Sequence, residues 1–209
     1  IDKLIVKEDN AAVTLEYSLE NMVTTVFNSQ MPKLEKVDFN VNVQPMGENA
    51  LPIMIARSEY MRRMKEMATI QSGMGFYGEL PDMMSVIINQ DHKLVKRVMD
   101  ETGAACNDKV KPLSGELDAL QARAAELKKA KEGKKEEDIP ETEKNELTDV
   151  EKQIADKEDA IKAIYTDYAT GNKVVHELID LALLQNGMLK GEALNSFIKR
   201  SVELIKFTI

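Results

Sequence analysis

This chain has no tryptophan, a single cysteine, two histidines, and aromatic residues at only 5% of its length. Cys106 on its own cannot form an intramolecular disulfide, so the fold must stand on a hydrophobic core, which 209 residues are enough to build. His92 and His176 are far apart, and neither has a carboxylate at a spacing that makes a zinc motif, so no metal site is expected. Basic charge is also in short supply. With 28 Lys and Arg against 36 Asp and Glu the net charge is -8, which excludes the uncompensated basic face that nucleic acid requires. No apolar run approaches the roughly 20 residues needed to span a bilayer, and no signal peptide is read in the sequence. No membrane partner and a cytoplasmic location are therefore expected. The chain opens at Ile1 rather than a methionine, and "IDKLIVKED" reads as the tail of a preceding domain or linker over residues 1–10.

What is present is strongly patterned. Leu15, Leu19, Met22, Val23, Val26 and Phe27 recur at helical spacing behind Thr14, a candidate N-cap, and predict a helix from Leu15 to Met31 that Pro32 ends. In "KVDFNVNVQ", Val37, Phe39, Val41 and Val43 alternate strictly with polar residues, the period of a strand with one buried face. "LPIMIA" (51–56) and "MSVIIN" (84–89) predict two further strands, giving a small antiparallel or mixed sheet. A helix follows from "NQDHKLVKRVMDE", with Asn89 or Asp91 as its cap.

From Ala104 the composition turns to charge. Leu113, Leu117, Leu120, Ala124 and Leu127, then Leu147, Val150, Ile154, Ile161, Ile164 and Tyr168, trace two heptad seams, broken once by Lys157. Gly133 and Pro140 stand between them, where a helical hairpin needs its turn. Residues 104–170 are thus expected to form an inserted, charged coiled-coil hairpin. Two closing helices, 172–185 with Gly187 as a stop and 192–207, are apolar around more than one face and require more than one neighbour. The sheet covers one side; a partner chain is expected on the other.

Two motifs bear on function. Gly73, Gly75 and Gly78 spell G-x-G-x-x-G, but a dinucleotide loop must follow a strand and open a helix, whereas here a helix precedes it and "ELPDMM" follows. Nucleotide binding is not expected there. Cys106 has no catalytic signature, and no catalytic residue is identified. The second motif is the helix ahead of that loop. Tyr60, Met61, Met64, Met67 and Ala68 share an arc of about 120°, opposite Arg62, Arg63, Lys65 and Glu66. Methionine is the side chain that adapts to varied surfaces, and the helix runs into a loop bearing Met74, Phe76 and Tyr77, so the pattern fits an adaptable binding surface as well as a core.

The segments "EYMRRMKEMA", "MGFYG", "VIINQDHKLVKRV" and "ELIDLALLQNGMLKGEALNSFIKRSVELI", in this order, resemble the C-terminal dimerisation domain of the heat shock protein 90 chaperone family, bacterial HtpG type. Gln90 stands where that family has proline, and Leu189-Lys190-Gly191-Glu192 where it has a polar entry to the last helix. The hairpin exceeds the few residues usual there. The resemblance implies an α+β domain that homodimerises through an intermolecular four-helix bundle, here involving Leu178, Leu181, Leu184, Leu194, Phe197, Ile198, Val202, Leu204 and Ile205. It also implies contact with non-native client proteins through Tyr60, Met64 and Met67, to which the pattern adds Met61 and Phe76. The family's ATPase, with its ATP and magnesium, resides in other domains, so this chain is expected to be no enzyme and to carry no cofactor of its own. It ends "IKFTI", without the acidic tail that recruits tetratricopeptide co-chaperones, so that partner class is not expected. The competing expectation is a coiled-coil scaffold or adaptor acting through the hairpin.

Overall fold

The computed structural model describes residues 17–57, 59–70, 81–131 and 141–206. Along the chain run α1 (Tyr17–Ser29), β1 (Val37–Gln44), β2 (Ile53–Arg57), α2 (Glu59–Ile70), β3 (Asp82–Asn89), α3 (Lys93–Lys131), α4 (Glu141–Gly171), α5 (Lys173–Gln185) and α6 (Gly191–Lys206). This is an α+β architecture, with a small sheet beside a largely helical body. The expected cap Thr14, the glycine loop and the turn between Gly133 and Pro140 lie outside the described residues.

The sheet has the order β1-β3-β2 and is mixed. β1 runs parallel to β3, and β2 antiparallel to it. Register explains the buried face: Val41, Val86 and Ile55 stand side by side, as do Val43, Ile88 and Ile53, because alternate residues of a strand share a face. Onto that face α1 brings Met22, Val23, Val26 and Phe27, while α5 brings Val175, Leu178, Ile179, Ala182 and Leu183. Phe27 is fully buried at the centre, and its truncation to alanine costs about 3–5 kcal/mol by transfer and cavity terms together.

Asn89, at the end of β3, is buried with every polar group of its side chain satisfied. Its Oδ1 accepts from the amides of Met46 (3.1 Å) and Asp91 (3.1 Å), and its Nδ2 donates to the carbonyls of Gly47 (2.9 Å) and Leu51 (3.2 Å). Asp91 accepts in turn from the amide of Gly47, at 2.8 Å. Both residues therefore clamp the β1–β2 turn, and neither caps α3 as expected. His92 does that: its carbonyl accepts from the amide of Lys96 at 3.0 Å and its Nδ1 from the amide of Leu94 at 3.2 Å.

The change in composition at Ala104 marks no break in the backbone. α3 is one helix of 39 residues, about 58 Å at 1.5 Å per residue. Its first half buries Val95, Val98, Thr102, Cys106 and Val110 in the main core, together with Tyr165 and Ala169 of α4, which also packs on α1. The base of the hairpin thus belongs to the body. Further out, Ala124, Leu127 and Val150, with Leu120, Leu147 and Ile154 against them, form a second, separate core. The pairs of Glu116 with Lys157 and of Arg123 with Glu146 (2.6 Å) run in opposite directions along the two helices, as an antiparallel hairpin requires.

α5 is well terminated. Asn172 accepts from the amides of Val174 (3.0 Å) and Val175 (3.1 Å) as N-cap, worth about 1 kcal/mol. At the other end Met188 donates to the Leu183 carbonyl (2.8 Å) and Gly187 to that of Leu184 (3.0 Å). That closure needs a left-handed residue, and Gly187 supplies it with φ 64°.

Candidate functional site

Two apolar surfaces stand out on the described residues, one on α2 and one shared by α5 and α6. α2 leaves the sheet at the end of β2, and none of its described residues joins either core. Tyr60 is 68% exposed and Met67 46%, with Met64 half-buried between them. A core helix would hide this stripe. The side chain of Met61 and the whole of Phe76 lie outside the described residues. The opposite face is laced with charge. Glu59 accepts from Arg62 through both oxygens (2.6 and 2.8 Å) and from Arg63 (3.0 Å), while Arg62 also reaches Glu66. The Arg62 guanidinium first, and Arg63 second, hold the Glu59 carboxyl down at about 2. The network sits in the helix's first turn, where a carboxylate also favours the dipole, and stiffens α2.

On the second surface, Leu181 and Leu184 of α5 and Ile198 and Val202 of α6 are each 40–49% exposed. Spacings of three and four put each pair on one helix face. The other expected interface residues divide. Leu178 and Phe197 are buried within this chain, Leu194 is half-buried against the core, and the side chains of Leu204 and Ile205 lie outside the described residues. Leu178 and Phe197 are therefore core residues: α5 meets the sheet through Leu178, leaving Leu181 and Leu184 facing outward.

A polar cluster that the sequence reading missed joins the two helices. Arg200 on α6 donates to both Glu177 and Asp180 on α5, and His176 Nε2 lies 3.5 Å from the same Asp180 carboxylate. The two carboxylates, Glu177 foremost, push the Arg200 guanidinium above its ordinary range. The available signal was Asp180 itself, a lone charge in the run "LIDLALL", which a stable helix must pair once it is buried. Beside the cluster an open groove of about 1040 Å³ runs between α6 and the segment after α1, lined by Pro32, Leu34, His176, Leu189, Ser196 and Arg200 among others.

Among the described residues no group of three or more His, Cys, Asp or Glu could hold a metal ion, and no helix is long and apolar enough to cross a membrane. His92 is occupied with its cap and His176 with Asp180. Cys106 is buried, and desolvation pushes its thiol upward, partly offset by Lys109. The glycine motif is flanked by a helix before and a strand after, the reverse of the order that cradles a dinucleotide.

No protein-family model matches the chain, and no solved structure matches it. Curated sequences do. The chaperone proteins HtpG of Bacteroides thetaiotaomicron and Bacteroides fragilis are each 54% identical over 205 residues, and that of Porphyromonas gingivalis is 38% identical over the same length. These matches cover 98% of this chain, leaving no room to omit the charged hairpin, which is therefore within the shared sequence. The chain spans 30% of the length of those relatives. Over nearly its whole length, the chain belongs to the heat shock protein 90 chaperone family in its bacterial HtpG form.

Proposed function

We propose that the chain is the C-terminal dimerisation and client-contacting domain of a cytoplasmic, ATP-dependent chaperone that assists protein folding. The single observation that carries this reading is the exposed stripe of Leu181, Leu184, Ile198 and Val202. Four large aliphatic side chains aligned on two rigidly joined helices would each gain about 1–2 kcal/mol from burial, and a second copy of the same stripe offers it. The two pairs of helices would then form a four-helix bundle between protomers. The α2 surface lies on a different element, so clients and the partner protomer need not compete.

The domain's contribution is geometric. A permanent joint raises the effective concentration of whatever the two protomers carry elsewhere, turning their transient association into an intramolecular event. ATP and magnesium would be held by those other parts of the full-length protein, and this chain would catalyse nothing by itself.

Light scattering across a dilution series tests the reading. A mass near twice the 23.5 kDa of one chain, persisting to low micromolar concentration, is expected. A mass of one chain throughout would overturn it. Removing residues 117–156 and joining the arms by a short glycine-serine turn addresses the scaffold alternative, since that cut spares the base of the hairpin: the dimer should survive it.

A further inference from the structure

The long hairpin carries three features at one level along its length. Pro112 lies in the interior of α3, where it cannot donate to the Asp108 carbonyl and its ring crowds that group, at a cost of about 3 kcal/mol in an ordinary helix. Three residues on is Gly115, exposed, with nothing within 4 Å of where a Cβ would stand, so no neighbour demands a glycine. Opposite them, on α4, Lys157 interrupts the apolar seam and pairs with Glu116. The packing is interrupted here as well. The main core ends outward at Val110 and Ile161, and the outer core begins at Leu120 and Ile154; Leu113 and Leu117 belong to neither.

We propose that this level is a hinge, about which the outer arm, residues 117–131 and 141–156 with a core of its own, pivots as a unit on the body of the domain. Both arms of the hairpin are weakened together: α3 by a missing hydrogen bond and a glycine, α4 by a charged residue at a position of its apolar seam. The described ion pair at this level joins Lys157 and Glu116, whose side chains are 32% and 57% exposed, and it resists bending weakly. A stiff coiled coil would place leucine or alanine at all three positions. The inference concerns the hairpin alone and does not depend on the proposed dimer.

Amide hydrogen exchange on the intact chain tests it. Amides of residues 113–118 should exchange at least 10-fold faster than those of residues 98–106 and of residues 122–128 on either side. Pro112→Ala combined with Gly115→Ala, which meets no steric obstacle, should slow them at least 10-fold and leave the flanking residues unchanged. Uniform protection through Pro112, or no change in the double variant, would overturn the hinge. Pulsed electron resonance between spin labels at Gln121→Cys and Glu35→Cys, in a Cys106→Ala background, gives a second readout. A broad distance distribution that narrows when Lys157→Leu is added to the double variant supports the hinge, and a single narrow distribution in the parent refutes it.

Discussion

The Nη2 of Arg200 on α6 donates to the carboxylate of Asp180 on α5, a residue only 7% exposed. Arg200 reaches Glu177 with its Nε at the same time, so one guanidinium fixes the crossing of the two closing helices. Replacing Arg200 with methionine would keep much of its length while stranding a buried charge. A loss of about 1–3 kcal/mol is expected, since the site is partly open to solvent. Urea denaturation measures it, and Asp180→Asn in the same background should recover part of the loss.

Leu181→Asp and Ile198→Asp should both yield folded monomers, because each position faces out of the chain and a charge there offends only the partner. Leu178→Asp and Phe197→Asp should instead unfold the chain, since both are core positions. Circular dichroism paired with light scattering distinguishes the two outcomes. If Leu181→Asp stays dimeric, the interface is elsewhere.

Replacing Met64 and Met67 together with serine should shift the melting temperature by no more than about 2 °C, given that the second is half exposed and neither joins a core. Binding to a partly unfolded client, followed by fluorescence anisotropy, should weaken several-fold. A large loss of stability would mean that the stripe is packed after all.

Acid should melt α2 before the rest of the domain. Glu59 has a folded value of about 2 against an ordinary 4.5, so its support for the helix is complete above pH 4.5 and is lost as the pH falls towards 2. Carbon chemical shifts of α2 followed through that window should report the loss, and Glu59→Gln should abolish the pH dependence. Unchanged shifts in the parent chain down to pH 2 would show that the network does not hold the helix.

The sequence was legible where a period met a single buried face. Strict alternation from Val37 to Gln44 located β1 to the residue. Strand order was hidden, because β1 pairs with β3 across an intervening strand and helix, and no local pattern records such a partner. The continuity of α3 was hidden too: charge enrichment at Ala104 looked like a boundary, yet Thr102, Cys106 and Val110, four residues apart, carried one buried stripe straight through it. For the closing helices the excess of apolar residues was legible, and the division of labour was not. Leu178 and Leu181 are the same residue type one turn apart, and only the position of the sheet decides which of them is covered. On α2 a methionine stripe reads alike whether it is buried or displayed.

β2 ends at Arg57, and β3, its antiparallel neighbour, begins at Asp82 beside it, with an ion pair of 3.7 Å between those two side chains. Residues 58–81 therefore depart from the sheet and return to it at adjacent points. An excursion closed at its neck in this way is nearly uncoupled from what it is attached to: doubling its length would cost only about 0.6 kcal/mol of closure entropy. Natural variation can rewrite the methionine surface, lengthen it or change its charge while the sheet and the closing helices go on folding as before. The surface proposed to meet clients is thus free to drift, and the surface proposed to join two chains is not.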